Sequence, residues 1–144
     1  MTARDDRPTI LVVEDDPTNL QLLRAVLARA PEPELRNLRI VETGTLAEAR
    51  AALARERCEL VLLDVRLPDG NGLDLARSIR RSELRQRPQV LILSASVLPM
   101  ERDAAIAAGG DRFLAKPYLP ADLRSACADL LRRATELEET PITA

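Results

Sequence analysis

The sequence predicts an α/β domain made of five successive βα units, and three observations carry that expectation. Short apolar runs rich in Val, Ile and Leu recur at 9–13, 38–43, 60–63, 90–93 and 112–115. Each is followed by a turn and then by a stretch whose apolar positions recur at helical spacing. The run at 60–63 is apolar at every position, as in strands buried on both faces of a sheet. Parallel neighbours need crossover connections, which intervening helices supply.

The first run, TILVV, leads through Glu14, Asp15 and Asp16 into a helix over 17–29. Asp16 suits the cap position and Pro17 the first helical position. Leu20, Leu23 and Leu27 share a face. PEPELRN at 31–37 is a longer connection than usual and reads as a surface loop. The second strand, 38–43, precedes a helix over 45–55 with Leu46, Ala49 and Leu53 on one side. After the third strand, 60–63, come Asp64 and a turn shaped by Pro68, Gly70 and Gly72, then a helix over 73–81. Arg77, Arg80 and Arg81 read as its solvated face. The fourth strand, 90–93, precedes a helix over 100–108, and the fifth, 112–115, a helix over 120–133.

Five units fall short of the eight that close a barrel. The expected fold is therefore a flavodoxin-like, doubly wound open parallel sheet, strand order 2-1-3-4-5, with helices on both faces. Residues 1–8 form a polar extension, 9–133 the domain, and 134–144 an acidic tail or linker stub expected to fray. No second core or helix-turn-helix stretch follows, which fits a single-domain protein or the start of a linker.

Composition narrows the function. With 31% charged residues and a net charge of -2, bulk charge draws the chain neither to nucleic acid nor to anionic membranes. Its apolar runs are far shorter than the roughly 20 residues that span a bilayer, and no signal-peptide core precedes them, so the expected location is the cytoplasm. The chain has no His, which excludes His-based catalysis. Cys58 and Cys127 have no metal-ligand spacing and read as buried apolar side chains.

Ligands of open parallel sheets bind beyond the carboxyl ends of the strands. There the sequence sets Glu14, Asp15 and Asp16 after strand one, Asp64 after strand three, Ser94 after strand four and Lys116 after strand five. Clustered carboxylates repel unless a cation offsets them, and oxygen ligands without His or Cys suit Mg²⁺, with Mn²⁺ as a substitute. A carboxylate can also attack phosphorus to give an aspartyl phosphate, with the cation and the Lys116 ammonium stabilising the transferring group. Asp16 fits a plain helix cap.

LVVEDDP, LVLLDVRLPDGNG, LILSAS and FLAKP, in this order across residues 8–133, resemble the four signature segments of the response-regulator receiver family of bacterial two-component signalling. The resemblance implies Asp64 as phosphoacceptor, and Mg²⁺ held by Glu14, Asp15, Asp64 and the backbone carbonyl of Arg66, with Asp15 as the direct ligand of the acidic pair. It implies Ser94 as the switch hydroxyl, Phe113 as the aromatic switch residue and Lys116 as the ion-pair partner. It further implies a sensor histidine kinase or histidine phosphotransfer protein as donor, and a signal carried by the surface of the fourth helix, fifth strand and fifth helix. Arg66 and Ser96 are expected to tune the lifetime of the aspartyl phosphate. Small residues at 104–108 would permit docking of a second copy, though small residues also simply favour helix.

Three rivals share the fold class. A flavin binder normally stacks aromatics on the ring, and this chain has no Trp. A dehalogenase-like phosphatase places a second Asp two residues after its nucleophile, where this chain has Arg66. A docking module that takes no phosphate would typically lack one of the reactive residues, and none is missing.

Overall fold

The computed structural model describes residues 7–82, 87–95 and 98–139. Most of the expected extension and residues 140–144 of the expected tail lie outside that description. The five expected strands form one parallel sheet: β1 (Thr9–Val13), β2 (Arg39–Thr43), β3 (Leu60–Asp64), β4 (Gln89–Ser94) and β5 (Arg112–Ala115). Their order is β2-β1-β3-β4-β5, as the sequence predicts. Between and after them run α1 (Pro17–Ala28), α2 (Leu46–Arg55), α3 (Gly72–Arg81), α4 (Pro99–Ala108) and α5 (Pro120–Glu139).

The sheet divides two apolar layers because side chains alternate along every strand. Ile10, Val12, Leu60, Leu62, Leu91 and Leu93 pack with α1 and α5 on one face. Leu11, Val13, Val61, Leu63, Val90 and Ile92 pack with α2, α3 and α4 on the other. Leu60, Val61, Leu62 and Leu63 are all 0% exposed, which explains their unbroken apolar run. Each such side chain contributes about 1.5–3 kcal/mol of burial free energy. Cys58 and Cys127 are free and buried within these layers, as expected. Burial pushes their thiols up to about 11 and about 12, so neither is a reactive thiolate near neutral pH.

Helix starts follow local chemistry. Asp16 caps α1, accepting from Thr18 N at 2.8 Å, and Asn71 caps α3, accepting from Leu73 N at 2.8 Å. Thr45 caps α2, with its hydroxyl 3.0 Å from Glu48 N. Arg77, Arg80 and Arg81 are exposed along α3.

Two expectations need correction. The connection 31–37 is not merely a surface loop: Pro33–Leu35 forms a 3₁₀ turn, and Leu35, 3% exposed, packs with Leu130 and Leu131 of α5. That packing, with Arg124 to Glu32 at 3.1 Å and Arg132 to Glu34 at 3.0 Å, helps hold α5, which runs on to Glu139 instead of stopping near 133. Ala134, 8% exposed, continues the buried face one turn after Leu130. Of the small residues of α4, Ala105 and Ala108 point into the core, while Ala104 and Ala107 are exposed.

Candidate functional site

Parallel pairing aligns the carboxyl ends of β1, β3, β4 and β5, and the polar residues that follow each strand gather there. Asp64 is the last residue of β3 and pairs with Leu93. Glu14 extends the β1–β2 ladder by one bond, its N–H donating to Thr43 O at 2.9 Å. Lys116 follows β5, and its N–H donates to the carbonyl of Ser94 at 2.7 Å. The backbone itself thus fixes where these side chains begin.

The side chains then meet. Carboxylate oxygens of Glu14, Asp15 and Asp64 lie within 4.8 Å of one another. The Lys116 ammonium sits 3.3 Å from Glu14 Oε2 and 3.4 Å from Asp64 Oδ2. Glu14 is nearly sealed, at 2% side-chain exposure, whereas Asp64 keeps 13% and Asp15 is open to solvent. Asn19, on the first turn of α1, donates from Nδ2 to Glu14 Oε1 at 2.8 Å. Both Glu14 oxygens therefore already have protein partners, which leaves Asp15 and Asp64 as the accessible carboxylates. The N–H of Arg66 lies 3.4 Å from Asp64 Oδ1, and the Arg66 side chain is exposed.

Burial raises the Glu14 pKa above the ordinary carboxylate range; the adjacent Asp64 raises it further, while Asn19 and Lys116 pull it down. The ionised form is therefore held at a cost in the folded chain. Glu14→Gln keeps an oxygen for Asn19 and removes that cost. Without divalent ions at pH 7 it is expected to melt later than the parent, read by thermal melting. As pH falls through the carboxylate range, Glu14 becomes protonated in both states and the two melting curves should converge.

Three carboxylates against one ammonium leave two negative charges uncompensated in a partly buried cluster. A hard divalent cation with oxygen ligands fits this set, and neither Cys lies among its members. Ser94, 6% exposed at the end of β4, and the half-buried Phe113 of β5 line one cavity of about 540 Å³ together with Val65, Arg66, Leu73 and Ala104. Phe113 also packs against the core, so one ring serves both as core residue and as cavity wall. The peptide bond Lys116–Pro117 is cis. Ser96 lies outside the described residues.

Two polar residues at this edge escape a reading based on strand ends. Asn19 had a usable signal, because the first turn of a helix that follows Glu14 directly must face the same edge. Asp69 reads as turn chemistry in sequence, but its carboxylate accepts from Leu46 N at 2.8 Å and Ala47 N at 3.0 Å.

The profile of the response regulator receiver domain matches residues 10–128. The chain is 36% identical over 126 residues to the transcriptional regulatory protein GltR of Pseudomonas aeruginosa, covering 88% of this chain and 50% of that protein. It spans about half the length, or less, of the curated relatives it matches. Among solved structures, a signal receiver domain ascribed to a Luxo repressor protein of Vibrio parahaemolyticus superposes with a TM-score of 0.81 at 27% identity, covering 94% of this chain and 99% of that one. The receiver domain of the sensor histidine kinase PA1611 from Pseudomonas aeruginosa PAO1 superposes with a TM-score of 0.74 at 28% identity, covering 88% and 98%. That structure carries a magnesium ion coordinated in its active-site cleft. Strand order, edge chemistry and profile agree, and the chain belongs to the response regulator receiver domain family of two-component signalling.

Proposed function

We propose that this receiver is a phosphorylation-driven signalling switch whose phosphoacceptor is Asp64. The donor is the phosphohistidine of a sensor histidine kinase or a histidine phosphotransfer protein. A carboxylate oxygen of Asp64 attacks phosphorus, the P–N bond breaks, and the departing imidazole takes up a proton. The same residues later admit water, which attacks phosphorus; the P–O bond to Asp64 breaks, inorganic phosphate leaves and Asp64 returns to the carboxylate. The chain thus catalyses only its own phosphorylation and slow dephosphorylation, and is not an enzyme acting on other molecules.

One observation supports this reading above the others: three carboxylates and one ammonium converge where only a sheet edge brings them together. Mg²⁺, or Mn²⁺ in its place, would be held by Asp15, Asp64 and the Arg66 carbonyl with Glu14 beside them, and supplies charge neutralisation at the transferring oxygens. Asn19 and Lys116 orient Glu14, and Lys116 also orients Asp64. In our reading the Lys116 ammonium pairs with a phosphoryl oxygen, the Ser94 hydroxyl donates to another, and Phe113 turns into the cavity it shares with Ser94. The surface of α4, β5 and α5 then changes its binding preference. We infer a cytoplasmic location from the donor class, and contact with proteins, not with nucleic acid or membrane, as the output of this domain. Among the described residues no helix is long and apolar enough to cross a membrane.

Incubation with acetyl phosphate and Mg²⁺ is expected to add one phosphoryl group to the intact mass, and EDTA to prevent it. A chain that gains no mass with Mg²⁺, or gains it equally in EDTA, is not the switch described.

A further inference from the structure

The start of α2 is capped twice, from two different places. Thr45 takes the N–H of Glu48, the third residue of the helix, at 3.0 Å. That leaves the N–H groups of Leu46 and Ala47, which no preceding side chain reaches. Asp69, 23 positions further on, accepts both, one with each carboxylate oxygen. Those two bonds hold its carboxylate below the usual range, so it is charged at neutral pH. A local cap would have sufficed for helix stability alone.

Asp69 lies in the short loop between Asp64 and α3. Arg66–Leu67 and Gly70–Asn71 form a two-residue antiparallel ladder that folds this loop back on itself. At Gly70, φ is 150°, and an added Cβ would stand 3.0 Å from Leu46 Cδ1, so the loop also packs against the residue it is bonded to. Its start adjoins the acidic cluster, with Arg66 N facing Asp64 Oδ1 at 3.4 Å, and its two ends are joined where Gly72 N donates to Val65 O at 2.7 Å. The loop is thus anchored at both ends by backbone and in its middle by one carboxylate.

We propose that Asp69 is a positioning residue for the divalent-cation site: by tying the loop after Asp64 to the start of α2, it sets the affinity of that site for Mg²⁺. The inference rests on the metal-dependent reading above. Freed from α2, the loop samples more conformations, and the Asp64 carboxylate and Arg66 backbone must be ordered when the ion binds. Supporting groups that orient ligands in this way commonly control affinity by 10- to 100-fold.

The test is calorimetric titration with Mg²⁺ alone, with no phosphodonor present. Asp69→Ala should weaken binding about tenfold. Asp69→Asn retains one acceptor and should fall between Asp69→Ala and the parent, which keeps the test open should the alanine variant fold poorly. Thr45→Ala removes the other cap of the same helix without touching the loop, and should bind Mg²⁺ within about twofold of the parent while melting earlier. Equal affinity in the parent and both Asp69 variants would overturn the inference. So would a loss in Thr45→Ala as large as in Asp69→Ala, since that would trace the effect to α2 stability. A parent that takes up no Mg²⁺ would instead overturn the metal reading, and the inference with it.

Discussion

Asp64→Asn is expected to remove all phosphoryl uptake from acetyl phosphate while leaving the fold intact. The substitution is isosteric, and it replaces the attacking oxygen by an amide that is not nucleophilic at phosphorus. It also lowers the charge of the cluster from three carboxylates to two, which relieves repulsion with Glu14. The variant should therefore melt no earlier than the parent, so loss of phosphorylation cannot be ascribed to unfolding. Intact mass after incubation with Mg²⁺ and acetyl phosphate checks the first expectation, and thermal melting the second. Retained mass gain would mean that another carboxylate is the acceptor, with Asp15, the solvent-open member of the cluster, the next candidate.

The largest effect expected on stability comes from a glycine. A Cβ at Gly72 would stand 2.1 Å from the backbone oxygen of Asp64 and 3.1 Å from its carbonyl carbon. Neither atom belongs to a flexible side chain, so either the end of β3 or the start of α3 must move. Gly72→Ala is expected to cost about 3 kcal/mol, the upper end of overpacking penalties. It should also slow phosphorylation, because the displaced backbone carries Asp64, the proposed acceptor. Gly44→Ala is the matched control: its nearest neighbour would be 3.7 Å away, an ordinary contact. That variant should stay within about 0.5 kcal/mol of the parent. Urea denaturation monitored by circular dichroism distinguishes them, and coincident curves for Gly72→Ala and the parent would contradict the packing described.

The sheet was legible because burial on both faces leaves a plain mark: 60–63 could hardly be anything but a central strand once a turn and a helix followed it. Asp16 and Pro17 marked the start of α1 by local chemistry alone. The site was legible for a related reason. In a parallel sheet the residue after each strand falls on a shared edge, so Glu14, Asp64, Ser94 and Lys116 could be gathered without coordinates. What stayed hidden depends on partners distant in sequence. The 3₁₀ turn at Pro33–Leu35 and the stretch of α5 around Leu130–Arg132 stabilise one another across about 100 positions, as Arg132 and Glu34 illustrate. Asp69 looks like any turn aspartate until the N–H groups of Leu46 and Ala47 are seen to lack a local acceptor. Asn19 is the exception: its partner Glu14 is only five residues away, and the bond follows from how a helix placed directly after Glu14 enters the edge.

The most direct measurement is reductive trapping. Borohydride converts an aspartyl phosphate to homoserine, releasing phosphate and marking the acceptor permanently. The protein treated with Mg²⁺ and acetyl phosphate, reduced, digested and sequenced by mass spectrometry, should carry homoserine at position 64 and at no other aspartate. Homoserine at position 15 or 16, or none anywhere after phosphoryl uptake, would contradict the assignment of Asp64 as the residue that takes the group.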